Sequence, residues 1–118
     1  MLIRYKKSFE KIAMGLLSFM PEEKEIKKLQ QTMKSYEEKD HWQLYLWKDE
    51  EIIGVIGIKE KEDTVKVQHI SVNPSYRMEG IGKKMVKELK EMHTNKKIVP
   101  NSSTSNFFHK CEEEDPTE

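Results

Sequence analysis

A chain of 118 residues with 21 basic and 21 acidic side chains carries no formal net charge, which excludes bulk electrostatic attraction to nucleic acid or to a membrane surface. Hydrophobic and charged residues each make up 36% of it, a balance that allows one modest core under a charged surface and one domain by size. The single cysteine, Cys111, excludes a disulfide framework within the chain; with no signal-peptide h-region and no apolar run of ~20 residues, a cytoplasmic protein is expected.

Leu2, Ile3 and Tyr5 suit a short first strand. Phe9, Ile12, Ala13, Leu16, Leu17 and Met20 recur at spacings of three and four, one apolar face of a helix that Ser8 can cap and Pro21 stops. Pro21 then fits the first turn of a second helix, striped by Ile26, Leu29, Met33 and Tyr36. Near Gln43 the pattern changes. Leu44-Tyr45-Leu46-Trp47 is a short run rich in aromatics, a strand signal, and both Trp42 and Trp47 read as core. Ile52 to Ile58 is a β-branched strand interrupted by Gly54 and Gly57, where a bulge or a close backbone approach is expected. Val65 to Val72 alternates as a third consecutive strand. The polar turns at 48–51 and 59–64 are too short for parallel crossovers, so the three strands should form an antiparallel meander.

Asn73-Pro74-Ser75-Tyr76 breaks the chain. A helix from about Gly82 to His93 follows, with Ile81, Met85, Leu89 and Met92 on one face, then a strand at Lys97-Ile98-Val99 that Pro100 ends. Asn101 or Ser102 can cap a last short helix through Phe107, Phe108 and Cys111. The strand at 65–72, the helix and the strand at 97–99 make one right-handed β-α-β unit with parallel strands. The class is α+β, a mixed, mostly antiparallel sheet flanked by helices. Residues 1–111 are expected to form the single domain. Glu112-Glu113-Glu114-Asp115 open an acidic tail, 112–118, expected to be disordered.

The segment that carries chemistry runs from Val67 through Gln68, His69, Ile70, Ser71 and Val72 into Asn73-Pro74-Ser75-Tyr76-Arg77-Met78-Glu79-Gly80-Ile81-Gly82. It reads strand, turn, Arg-x-x-Gly-x-Gly, helix. The first N–H groups of a helix have no intrahelical partner, and the helix dipole adds positive potential there. Gly80 and Gly82 let an anion such as pyrophosphate come against the backbone, and Lys83, Lys84, Lys87 and Lys90 follow. Alone, the pattern also fits a tight strand-to-helix turn that needs glycine. A dinucleotide binder is disfavoured, because that fold puts its glycine loop after the first strand, not after a meander.

The segment Val72-x-Pro74-x-Tyr76-Arg77-x-x-Gly80-x-Gly82 between a strand and a helix resembles motif A of the GNAT acetyltransferases, and the element order resembles that family up to about Cys111. The resemblance implies a GNAT-like acyl-CoA N-acyltransferase fold, C-terminally truncated, with acetyl-CoA as cosubstrate and a small-molecule or peptide amine as acceptor. It extends to a short branch of the family encoded alongside riboflavin-synthesis genes. It implies that the backbone of Ile70, Ser71 and Val72 pairs with the pantetheine arm, for which the strand must splay from its parallel neighbour. The pyrophosphate would take the amides of Arg77, Met78, Glu79, Gly80, Ile81, Gly82 and Lys83. Asn101 would bond the pantetheine, and Phe107 and Phe108 would line the cleft near the thiol.

Two departures from the family pattern matter. Phe108 stands where the family commonly has a tyrosine that protonates the departing thiolate, and phenylalanine has no proton to donate. The stretch from Glu112 to Glu118 falls where the family's final strands would begin; a partner chain in a homodimer would complete that wall, or the site is open. His69, before motif A, can titrate near neutrality and is the candidate base, though a packed histidine is the commoner fate of such a residue. Tyr76 and His109 are weaker candidates, and Cys111 lacks a visible dyad. The histidines have no metal-ligand spacing, so no metal is expected. An acyl-CoA-binding or interaction protein without catalysis is the alternative on the same fold.

Overall fold

A computed structural model describes residues 1–77 and 79–108. The chain forms strand β1 (Leu2–Arg4), helices α1 (Glu10–Leu17) and α2 (Ile26–Glu38), and strands β2 (Trp42–Asp49), β3 (Glu51–Glu60) and β4 (Thr64–Val72). Helix α3 (Ile81–Met92) and strand β5 (Lys97–Pro100) follow, and one more helical turn spans 105–108. The sheet order is β1-β2-β3-β4-β5. The first four strands pair antiparallel and β5 joins β4 in parallel, as the short turns and the α3 crossover require.

The sheet has a core on each face. Ile53, Ile56 and Ile58 of β3 and Val65, Val67, Ile70 and Val72 of β4 pack with Ile81, Met85, Val86 and Leu89 of α3. On the other face, Leu44, Leu46 and Val55 meet Ala13, Leu16 and Leu17 of α1 and Leu29, Met33 and Tyr36 of α2.

The helix starts differ from the sequence expectation. Ser8 lies in a 3-10 turn, Lys7–Phe9, and no side chain caps α1. Pro21 opens another 3-10 turn, Pro21–Glu23, and α2 begins only at Ile26, which is 60% exposed. The stripe of α2 that meets the sheet includes Thr32, a polar residue buried within it.

Strand β4 does not alternate evenly. Its partners run Gly57↔His69 and then Ile58↔Val67, so Gln68 is an extra residue, a β-bulge. A single inserted residue inverts the period-two phase. Val65 and Val67 face α3 before it; Ile70 and Val72 face α3 after it. His69 and Ser71 therefore point toward α1 and α2.

The parallel ladder between β4 and β5 ends at Val67↔Pro100. Beyond it the Asn101 backbone N–H donates to the Val67 carbonyl at 3.2 Å. The Asn101 side-chain amide donates to the Gln68 carbonyl and to Gln68 Oε1 at 3.2 and 3.0 Å, while its Oδ1 accepts from the Thr104 amide at 2.9 Å. Thr104 Oγ1 donates to the Val67 carbonyl at 2.9 Å. Asn101 is thus both the cap of the following turn and the pivot at which the strands part.

Both strand glycines mark close approaches. A Cβ at Gly54 would lie 3.1 Å from Met85 Sδ, and a Cβ at Gly57 would overlap the Tyr36 hydroxyl. The ring of Tyr36 is wedged between two elements, so it has little room to yield. Gly57→Ala is expected to lower unfolding free energy by about 1–3 kcal/mol, the usual scale of overpacking. An unchanged urea midpoint would remove the close approach from the account.

Candidate functional site

Where β4 and β5 part, a cleft of about 860 Å³ opens. One wall is the end of α1 and its exit, Phe19, Met20 and Pro21; another is Ile70, Ser71 and Val72 of β4. Tyr76, Arg77 and Glu79–Lys83 close one end, and Ser103, Asn106 and Phe107 close the side toward β5.

The loop into α3 is locally determined. Asn73 Oδ1 accepts from the Ser75 amide at 2.9 Å, a turn that asparagine favours. The Tyr76 amide donates back to the Asn73 carbonyl at 2.9 Å, and the Asn73 amide donates to the Ile53 carbonyl at 2.8 Å, which holds the loop on β3. Gly80 is the N-cap of α3 at φ 75°, a left-handed conformation that suits glycine. The first helical bond is Lys84 N–H to the Gly80 carbonyl at 3.0 Å, so the earlier amides of Ile81 and Gly82 lie outside the ladder. No acidic side chain occupies this first turn, and Lys83 does. A Cβ at Gly80 would meet nothing within 4 Å. The arrangement is an anion cradle.

The two glycines of the loop have separate tasks. Gly80 turns the chain beside open space. Gly82 is bare because the Phe107 ring lies against it, where a Cβ would overlap the ring's outer carbons.

Along the open edge of β4, two carbonyls already have partners. Asn101 holds that of Gln68, and Arg77 Nε donates to that of Val72 at 3.3 Å. By strand alternation Ile70, between them, turns its N–H and C=O to the same edge, while the backbone of Ser71 turns to β3. Of the segment Ile70–Val72, Ile70 thus carries the backbone pair that an extended ligand would meet.

Several sequence candidates are placed elsewhere. His69 is buried and is not among the lining residues, which corrects its reading as a base in the cleft. Asn101 spends its side-chain amide on Gln68 rather than facing the cleft. Phe108 is 5% exposed and belongs to the core on the α3 face; Phe107 alone of the pair lines the cleft. Tyr76 does line it, and its hydroxyl donates to Glu51 Oε2 at 3.4 Å. The charge of Glu51 beside it raises the phenol's pKa, so the group keeps its proton and little phenolate is present to act as a base. Met78, His109 and Cys111 lie outside the described residues, as does the stretch 112–118. Among the described residues no group of histidine, cysteine and carboxylate side chains is arranged to hold a metal ion, and no helix is long and apolar enough to cross a membrane.

Behind the cleft lies a polar network that sequence reasoning missed. Glu23 has no exposed surface. Its Oε1 accepts from Thr32 Oγ1 at 2.8 Å, and its Oε2 accepts from Lys28 Nζ at 2.9 Å and His69 Nε2 at 3.1 Å. His69 Nδ1 meets the Tyr36 hydroxyl at 2.5 Å. Burial and the charge of Glu23 hold the Tyr36 phenol well above its ordinary pKa, so the phenol keeps its proton. With a neutral ring, the Tyr36 O–H donates to Nδ1 and the Nε2–H donates to Glu23. The only sequence sign of this network is Thr32 inside an apolar stripe, a hydroxyl that a buried acceptor must satisfy.

Comparison with known proteins agrees with this geometry. A sequence model of the Acetyltransferase (GNAT) family matches residues 9–111. The chain is 61% identical over 114 residues to an uncharacterised N-acetyltransferase in the lysA 3′ region of Bacillus methanolicus, with 95% of each covered. Among solved structures it is similar to AAC(6′)-Iy in complex with the bisubstrate analogue CoA-S-monomethyl-acetylneamine, with a TM-score of 0.73 and 16% identity over 93% of this chain and 84% of that one. It is also similar to a GNAT acetyltransferase from Elizabethkingia anophelis with acetyl-CoA bound, with a TM-score of 0.68 and 21% identity over 96% and 73% of the two chains. At these identities the structural likeness is one of fold.

Glu23 generates a test of its own. Burial raises its pKa, but hydrogen bonds from His69, Lys28 and Thr32 outweigh that and hold the carboxyl at about 2 against an ordinary 4.5. A depressed folded-state pKa means that the folded chain binds fewer protons than the unfolded one between those values. The contribution is therefore complete above pH 4.5 and is lost as pH falls toward 2. Urea unfolding across that range should show a loss of about 3 kcal/mol that is absent from Glu23→Gln. Parallel pH profiles for the two proteins would mean that the buried carboxyl is not ionised.

Proposed function

Since the chain belongs to the acetyltransferase (GNAT) family, we propose that it is an acetyl-CoA-dependent N-acetyltransferase acting on a small-molecule or peptide amine. The observation that carries this reading is the parting of β4 and β5 at Val67 and Pro100, directly beside the uncapped first turn of α3. The residues fit CoA. Ile70 offers a backbone N–H and C=O to an extended pantetheine arm, and the amides of Ile81 and Gly82 would hold its pyrophosphate. Arg77 and Lys83 add positive charge at the same end.

Acetyl-CoA, when bound, supplies an activated thioester. The chain's own part is placement. Ile70 and Val72 turn their side chains to the α3 face, and Ser71 turns its own to the face of α1 and α2, where Phe19, Met20 and Pro21 stand. The cleft thus passes through the sheet, which lets the amine approach from the side opposite α3. Holding amine and thioester together would supply the main rate advantage, and a backbone amide near Val72 would stabilise developing charge on the carbonyl oxygen. With His69 buried and Phe108 in the core, no described side chain is assigned as base or acid. Amine deprotonation then falls to solvent, and a thiolate leaves without help because a thiol is a moderate acid of pKa about 8.5.

That same lack of an acid and a base favours a second reading, an acyl-CoA-binding protein without turnover. Thioester consumption with a panel of amines separates the two. The likeness to RibT, the GNAT-like protein encoded alongside riboflavin-synthesis genes, suggests amines of that pathway as the first to screen.

CoA should raise the melting temperature by several degrees at a hundredfold excess over its Kd, which corresponds to about 2.7 kcal/mol. NAD should not. Gly82→Glu should abolish CoA binding through its carboxylate, whereas Gly82→Ala, which only displaces the Phe107 ring, should bind CoA within a few-fold of wild type. Calorimetric titration reads all three. Full affinity in Gly82→Glu would move the phosphate site elsewhere.

A further inference from the structure

The cleft walls belong to distant parts of the chain, and side-chain contacts at the rim and at the base join them. At the rim, the Arg77 guanidinium stands 5.8 Å from the centre of the Phe19 ring. Phe19 is 45% exposed and Arg77 is exposed, so this contact is worth only about 0.5–1 kcal/mol and yields easily. At the base, Glu23 follows the wall residues Phe19, Met20 and Pro21 by two positions, and His69 immediately precedes Ile70. Their side chains meet at 3.1 Å, both buried. Glu23 is further fixed by Thr32 and Lys28, so it cannot follow His69 if β4 shifts, nor can His69 follow a shifting turn at Pro21.

We propose that Glu23 and His69 are positioning residues whose hydrogen bond sets the spacing of the two cleft walls and, through it, the affinity for CoA. The proposal rests on the reading of the cleft as a CoA site. The two ring nitrogens of His69 have separable tasks. Nε2 ties wall to wall. Nδ1 anchors the ring to Tyr36 on α2, away from the cleft. A merely structural network would make both bonds matter for stability and neither for CoA.

That difference can be measured on the full chain with CoA as the probe, by calorimetric titration where every variant is fully folded, alongside thermal unfolding. His69→Asn puts an amide near the place of Nδ1, keeps Tyr36 partnered and falls short of Glu23. His69→Gln reaches toward Glu23 and gives up Tyr36. Both should lower Tm. The CoA Kd should rise about tenfold in His69→Asn and stay within about twofold in His69→Gln. If His69→Asn does not fold, Glu23→Ala against Tyr36→Phe decides the same question, with the loss of affinity expected in Glu23→Ala alone. Equal CoA affinities within a pair overturn the proposal and leave the CoA reading intact. A wild-type chain that does not bind CoA overturns both.

Discussion

The structure turns on one buried charge. A carboxylate with no exposed surface is tolerable only where hydrogen bonds replace its water, and Glu23 draws them from three places: Lys28 and Thr32 on α2 and His69 on β4. This demand fixes the turn at Pro21–Glu23 against both a helix and the sheet. It also reaches further. His69 needs an acceptor and a donor at opposite edges of its ring, Tyr36 supplies the donor, and Tyr36 reaches it only because Gly57 has no side chain. A glycine in β3, a tyrosine in α2, a histidine in β4 and a glutamate between helices therefore form one unit. Lys28, with 49% of its side chain exposed, is the member that meets solvent and brings the positive charge.

The cleft has a separate origin in β4. The bulge at Gln68 turns Ile70 and Val72 to one face and Ser71 to the other, and Asn101 grips the bulge from the strand that is leaving. Divergence and the open edge at Ile70 are thus consequences of one inserted residue and one amide. The networks meet at adjacent residues, Gln68 and His69, so the spacing of the cleft and the satisfaction of the buried charge are mechanically linked.

The element order was legible because each element announces its own period. The apolar spacing of α1, α2 and α3, the short polar turns of the meander and the Arg-x-x-Gly-x-Gly loop are local signals, and local signals survive folding. The parts that were not legible depend on partners far along the chain. Glu23 sits among Glu22, Lys24 and Glu25, where any one of them reads as solvated surface. The bulge at Gln68 is invisible in a run that alternates acceptably either way. Phe107 and Phe108 are adjacent and equally apolar, so only the pitch of the turn at 105–108 decides which enters the core and which stands beside Gly82. The start of α2 slipped for a similar reason: Pro21 suits a first helical turn, but the buried carboxylate of Glu23 keeps that turn 3-10 and delays the helix to Ile26.

Pro100 is the last residue of β5 to face β4, opposite Val67. The Asn101 amide closes the ladder on the carbonyl of Val67, which also accepts from the Thr104 hydroxyl, and the Asn101 side chain takes the next carbonyl, that of Gln68. Zippering of the two strands therefore has a chemical stop, set by residue type rather than by a guest molecule. A gap kept open in this way exists before anything enters it. The free energy of holding an unpaired strand edge is then a property of the folded chain alone, and an incoming extended molecule meets a rigid slot and loses little to reorganisation on the protein's side.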